Sequence, residues 1–146
     1  MDNLYPLIKE SHSLLRWLVL ALSVIVVMNF LLGAVSKKVY DKVENLLTLF
    51  YIISVDVQLL LGLLLYFVFS PITKSLFEGN SSMSDATTRF YAVEHPLTML
   101  LAIVFAHVGR SVSKKGATDI IKFRRGLLWF ALSLLCMLAR MPWPTL

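Results

Sequence analysis

Charge and cysteine are both scarce in this chain of 146 residues: Asp, Glu, Lys and Arg make up 16% of it, and Cys136 is its single thiol. One cysteine cannot build a disulfide framework, a C-x-x-C-H haem attachment or a cysteine-based metal site. No glycine-rich phosphate loop, serine or cysteine triad, or H-E-x-x-H pattern occurs, so nucleotide-driven enzymes and hydrolases have no support. Internal repeats and paired broken helices, which mark many small-molecule transporters, are lacking too. What the chain has in excess is apolar residues, at 58% against roughly 45–50% for soluble domains. They arrive in long unbroken blocks, which argues against disorder, a secreted scaffold or an ordinary soluble enzyme. The expectation is a small integral membrane protein of one domain, with the lipid bilayer as its main partner and little outside it.

A spanning helix needs about 20 apolar residues, and four such segments can be drawn. The first covers 14–35; its length and the lack of a small-x-small cleavage site distinguish it from a removable signal peptide. Its helix can begin earlier, because Pro6 is tolerated in a first helical turn. A polar loop with Lys37, Lys38 and Lys42 leads to a second span over 46–69, ended by Ser70-Pro71. Residues 72–88, with Gly79, Asn80 and several serines, read as the longest loop. The third span, 90–109, must recruit residues ahead of Leu97 to be long enough, which brings Glu94 and His95 into the membrane and places Pro96 in an early turn. The fourth, 126–143, includes Arg140, and Pro142 and Pro144 close the chain. The expected fold is therefore all-α, a four-helix antiparallel transmembrane bundle.

Cytoplasmic loops are enriched in lysine and arginine. The first and third loops together hold nine (Lys37, Lys38, Lys42, Arg110, Lys114, Lys115, Lys122, Arg124 and Arg125), whereas the opposite face has Lys9, Lys74 and Arg89. Both termini are thus expected outside, in the periplasm if the membrane is a bacterial inner membrane. The net charge of +5 is explained by orientation and lipid headgroups, and no nucleic acid is expected as a partner.

Ionisable groups inside spans are costly, about 2.5–3.5 kcal/mol for a central charge, and become functional candidates. His12, Arg16, Glu94, His95 and Arg140 all fall near one membrane surface, drawn from three helices. In a square bundle the first and third spans stand diagonally, leaving a gap between His12 and His95 suited to a flat macrocycle with iron at its centre. The two histidines are the metal candidates, Arg16 and Arg140 the propionate partners, and Glu94 an orienting or proton-handling group. Gln58 lies on a stripe with Ser54 and Gly62, where glycine lets a helix or ring approach. Asp56 sits about 200° from Gln58 on the helix and reads as a proton-relay or quinone-site acid, or as a neutral acid at a helix interface. His107, roughly 18 Å along the helix from His95, cannot share its iron. Taken singly, each histidine also reads as an interfacial residue, and Glu94 as an ion-pair partner of Arg16 or Arg140.

The segments H-S-L-L-R-W at 12–17, V-Q-L-L-L-G-L-L-L-Y-F at 57–67, R-F-Y-A-V-E-H-P at 89–96, H-V-G-R at 107–110 and the terminal M-P-W-P resemble a family of small bacterial four-span proteins. Its members are commonly labelled cytochrome b or uncharacterised membrane protein. The resemblance implies haem-linked electron transfer. The chain departs from the pattern at Asp56, where the family usually has histidine. Two functions follow as expectations: a b-type haem protein passing electrons, with quinone as a candidate partner, or a non-catalytic accessory subunit of a larger membrane complex.

Overall fold

A computed structural model describes residues 4–143, and among them every regular element is helical. Pro144, expected to help close the chain, lies outside the described residues. Helix α1 runs Leu4–Val35, with Pro6 in its first turn. At 1.5 Å per residue its 32 residues reach about 48 Å, well beyond the hydrocarbon thickness of about 30 Å. Helix α2, Lys42–Leu64, starts from a capping box: the Asp41 carboxylate accepts from Val43 N at 2.8 Å and Glu44 returns to Asp41 N at 3.1 Å. The two orphan donors of a helix start are thereby satisfied reciprocally.

The loop expected over 72–88 contains two short helices, α3 at Pro71–Phe77 and α4 at Ala86–Arg89. Local chemistry starts each. Ser70 caps α3 with Pro71 in its first turn, and Gly79, at φ 76°, takes the left-handed conformation that ends it. Asp85 caps α4 through Thr88 N at 2.7 Å, a hydrogen bond that holds its carboxyl below the usual range. Helix α5 follows at His95–Lys114 and α6 at Asp119–Arg140.

Two π-helical segments interrupt the regular turns, Leu65–Phe69 after α2 and Phe90–Glu94 before α5. Pro96 gives a physical reason for the second. It has no N–H to offer the carbonyl four residues back, Ala92, and its ring crowds that turn. The Tyr66 hydroxyl donates to the Ala92 carbonyl at 2.9 Å instead, so the two widened segments are tied to each other.

The long helices pack as a ring: α1 against α2, α2 against α5, α5 against α6, and α6 back against α1. Phe30, Tyr51, Phe123 and Phe130 are fully buried at its centre with Val26, Ala102 and Ala106. Glycine permits the close approach. A Cβ at Gly33 would strike the Phe123 ring, and one at Gly126 the Phe30 ring. A short polar chain crosses this core, with the Tyr51 hydroxyl 2.9 Å from Ser133 Oγ and Ser133 donating to the Ala102 carbonyl at 2.7 Å.

Three helical segments are long and apolar enough to cross a membrane: Leu4–Val35, Lys42–Phe69 and Ala86–Lys114. Helix α6 differs, because Lys122, Arg124 and Arg125 occupy its first turns and Arg140 its last. It stops at Arg140, short of residue 143. Met141, next to Pro142, has ψ 134°, the extended conformation that a following proline imposes.

Candidate cofactor cavity

The start of α1, the end of α2, the start of α5 and the end of α6 meet at one end of the ring. His12 and His95, from the opposed helices α1 and α5, face each other there, their ring centres 6.5 Å apart and their planes at 82°. Each ring is held differently. His95 Nδ1 lies 2.8 Å from the Arg140 carbonyl. A carbonyl only accepts, so in the neutral ring Nδ1 carries the proton and Nε2 keeps its lone pair. Phe90 stacks on the same ring at 5.9 Å. His12 sits above Gly62, where a Cβ would come within 3.3 Å of its Cε1. Glycine leaves the imidazole its place.

Arg16 follows His12 by one helical turn. Its Nη1 donates to the Pro142 carbonyl at 2.8 Å, and its guanidinium lies 5.2 Å from the centre of the Trp17 ring. Trp17 packs in turn against Trp143, 6.3 Å between ring centres. Gln58 donates to the His12 carbonyl at 3.0 Å, which ties α2 to α1 beneath the histidine. His12, Arg16, Gln58, Gly62 and His95 all line one cavity of about 930 Å³. That is the upper end of the range typical of small-molecule sites. Apolar side chains, including Val55, Leu59, Ile103 and Met137, form much of the remaining wall.

Three buried polar atoms of these lining residues have no hydrogen-bond partner: His12 Nδ1, Arg16 Nε and Gln58 Oε1. Each such atom costs about 1–3 kcal/mol unless something satisfies it. All three belong to residues that line the one cavity, and such a concentration of unpartnered groups calls for an explanation there.

The remaining expected site residues are placed elsewhere. The Glu94 carboxylate bridges Arg89 at 3.1 Å and Arg140 at 3.6 Å, and neither Glu94 nor Arg140 lines the cavity. Arg140 reaches the site through its carbonyl on His95, a role no reading of side chains could reveal. Among the described residues no group of three or more His, Cys, Asp or Glu side chains comes together to hold a metal ion alone.

Two clusters outside the cavity escaped sequence reasoning. Asp56 and His107 meet across α2 and α5, Oδ1 to Nε2 at 2.8 Å. At the other end of the ring Glu44 is fully buried, with Lys38 Nζ at 2.6 Å and Asn29 Nδ2 at 3.3 Å. Nearby, the Arg110 guanidinium donates to Thr48 Oγ1 at 2.6 Å and to the Asn45 carbonyl at 2.9 Å. The capping pattern D-x-x-E at 41–44 was the available signal for Glu44. The two partners Asp56 and His107 become visible only once α2 and α5 are known to pack. No family model matches the chain, and searches of curated proteins and of solved structures return no match.

Proposed function

We propose that this chain is a b-type haem protein of electron transfer, built as a four-helix antiparallel bundle in a bacterial inner membrane with both termini on the periplasmic side. The observation that carries the reading is the cavity between His12 and His95, with its three unpartnered polar atoms. The residues present fit the group. His12 and His95 face each other with ring centres 6.5 Å apart, and His95 Nε2 keeps a lone pair that could hold a metal. His12 and His95 would hold the iron, and a bound haem supplies one-electron chemistry at a potential set by its axial ligands and surroundings.

The chain's own residues then have distinct tasks. The Arg140 carbonyl fixes the orientation and tautomer of His95 and raises the basicity of Nε2. Arg16, part-buried and lining the cavity, supplies a positive charge for a carboxylate. Gln58 holds the His12 backbone in place and keeps Oε1 free as an acceptor. Glu94 bridges Arg89 and Arg140 outside the cavity, whereas Arg16 and Lys9 are the cations among the lining residues. The apolar wall offers a largely apolar surface to the faces of a bound macrocycle. Quinone is the proposed redox partner, being soluble in the lipid that surrounds the bundle.

The test is the dithionite-reduced minus oxidised visible spectrum of the protein purified in mild detergent from cells supplied with a haem precursor. A sharp b-type band at about one haem per chain, lost in both His12→Ala and His95→Ala, is the expected result. A featureless spectrum, or a band unchanged in both variants, overturns the assignment.

A further inference from the structure

Helix α5 turns outward a face with two unlike halves. Leu101 and Val104 are exposed along it, and the same row continues as the exposed Ser111, Lys114 and Lys115, at the three- and four-residue steps that keep one helical face. The polar half forms a shallow depression of about 440 Å³ lined by His107, Arg110, Ser111, Lys114 and Lys115. Lys114 is also the last residue of Ala86–Lys114, the third segment long and apolar enough to cross a membrane. From His107 to Lys114 the helix rises about 10 Å at 1.5 Å per residue, so the depression occupies the zone where hydrocarbon gives way to headgroups.

Among the described residues no carboxylate pairs with the three cations of this depression. Arg110 directs its donors to neutral oxygens, Thr48 Oγ1 at 2.6 Å, the Asn45 carbonyl at 2.9 Å and Asn45 Oδ1 at 3.1 Å. The carboxylates of the adjacent helix α2 are engaged elsewhere, Glu44 by Lys38 and Asp56 by His107. Lysines at a helix C-terminus favour its dipole by themselves. That accounts for the last turn of α5, whereas Arg110 lies a turn earlier and the Ser111 hydroxyl adds a neutral donor beside it.

A molecule with an apolar chain and an anionic head matches the whole row. Basic pockets beside membrane-spanning helices take such headgroups, at about 1 kcal/mol for each lysine or arginine near the surface. We propose that the end of α5 binds one anionic phospholipid, its headgroup phosphate held by Ser111, Lys114 and Lys115 in the field of Arg110, and its acyl chain laid along Val104 and Leu101. His107 need carry no charge for this. The inference rests on the chain crossing a membrane and is independent of what occupies the cavity.

The experiment is native mass spectrometry of the full chain in mild detergent with added phosphatidylglycerol or phosphatidylcholine. The chain is expected to retain one phosphatidylglycerol, at least about fivefold more than phosphatidylcholine, and to lose it about tenfold in Lys114→Gln/Lys115→Gln. Arg124→Gln/Arg125→Gln removes the same charge from the same end on α6 and leaves retention unchanged. Ser111→Asp, which sets a like charge against the phosphate with both lysines intact, also lowers it. Equal retention of the two lipids, no retained lipid, an equal loss in the α6 variant, unchanged retention in Ser111→Asp, or displacement of the lipid by excess inorganic phosphate would each overturn the proposal.

Discussion

The two ends of the helix ring treat buried polarity in opposite ways. At the Glu44 end the carboxylate is wholly enclosed, yet Lys38, Asn29 and the Asp41 N–H all reach it, and Arg110 nearby spreads its donors over Asn45 and Thr48. At the His12 end, three residues lining a large space each carry an enclosed polar atom that meets no partner. The first arrangement is complete within the chain and serves the fold. The second is incomplete, and each unpartnered atom carries its desolvation cost in the chain alone. Burial of a charged or polar residue therefore does not by itself separate structure from function here; satisfaction does.

The contrast breaks most visibly under substitution at its satisfied end. Glu44→Ala is expected to cost about 2–3 kcal/mol, because charge-assisted hydrogen bonds and a helix cap are lost together. His12→Leu in the ligand-free protein should cost nothing, or gain up to about 1 kcal/mol, since it removes an orphaned nitrogen. Thermal unfolding of the two variants in the same detergent checks both, and an equal loss in each would remove the distinction.

The cation next to the cavity provides a sharper cut. Arg16→Gln should weaken haem retention about tenfold, near 1.4 kcal/mol, while Arg140→Gln has a smaller effect because that guanidinium is engaged by Glu94. Competition with apomyoglobin for the haem measures the ratio. A larger loss at Arg140 would reverse the roles assigned to the two arginines.

Tyr66→Phe probes the wall of the cavity itself. It leaves the Ala92 carbonyl without the donor that Pro96 cannot supply, at about 1 kcal/mol, and is expected to broaden the haem band by loosening His95. Unchanged stability and spectrum would show that the π-helical tie is idle.

The smallest effect lies at the exposed cap of α4. The folded Asp85 carboxyl titrates below its ordinary value of 3.8, chiefly because of the Thr88 N–H. Its contribution is present above that ordinary value and is lost as pH falls through the lowered folded one. Protection of the Thr88 amide, its exchange rate relative to the intrinsic rate at each pH, should therefore fall at acid pH, and Asp85→Ala should abolish that fall in protection without touching the cavity.

Much of the helical architecture was legible as composition, because long apolar blocks have few alternatives to helices when backbone groups must be satisfied internally. The short helices α3 and α4 were not, since four to seven residues carry too little periodicity and depend on Ser70, Pro71 and Asp85 at their starts. Depth arithmetic along the helices was enough to group His12, Arg16 and His95. It could not tell that Arg140 contributes a carbonyl rather than its charge, because backbone acceptors leave no trace in residue identity. Likewise, Gln58 and Asp56 separated correctly by angle, but the partner of each depended on which helix lay alongside.

The backbone acceptors at Arg140 and Pro142 also impose an order on biogenesis. His95 and Arg16 are both anchored to carbonyls within the last described stretch of the chain. A nascent chain still on the ribosome, with α1 to α5 already made, thus holds both histidines but has neither anchor. The cavity is complete only once α6 and the residues just after it have joined the ring.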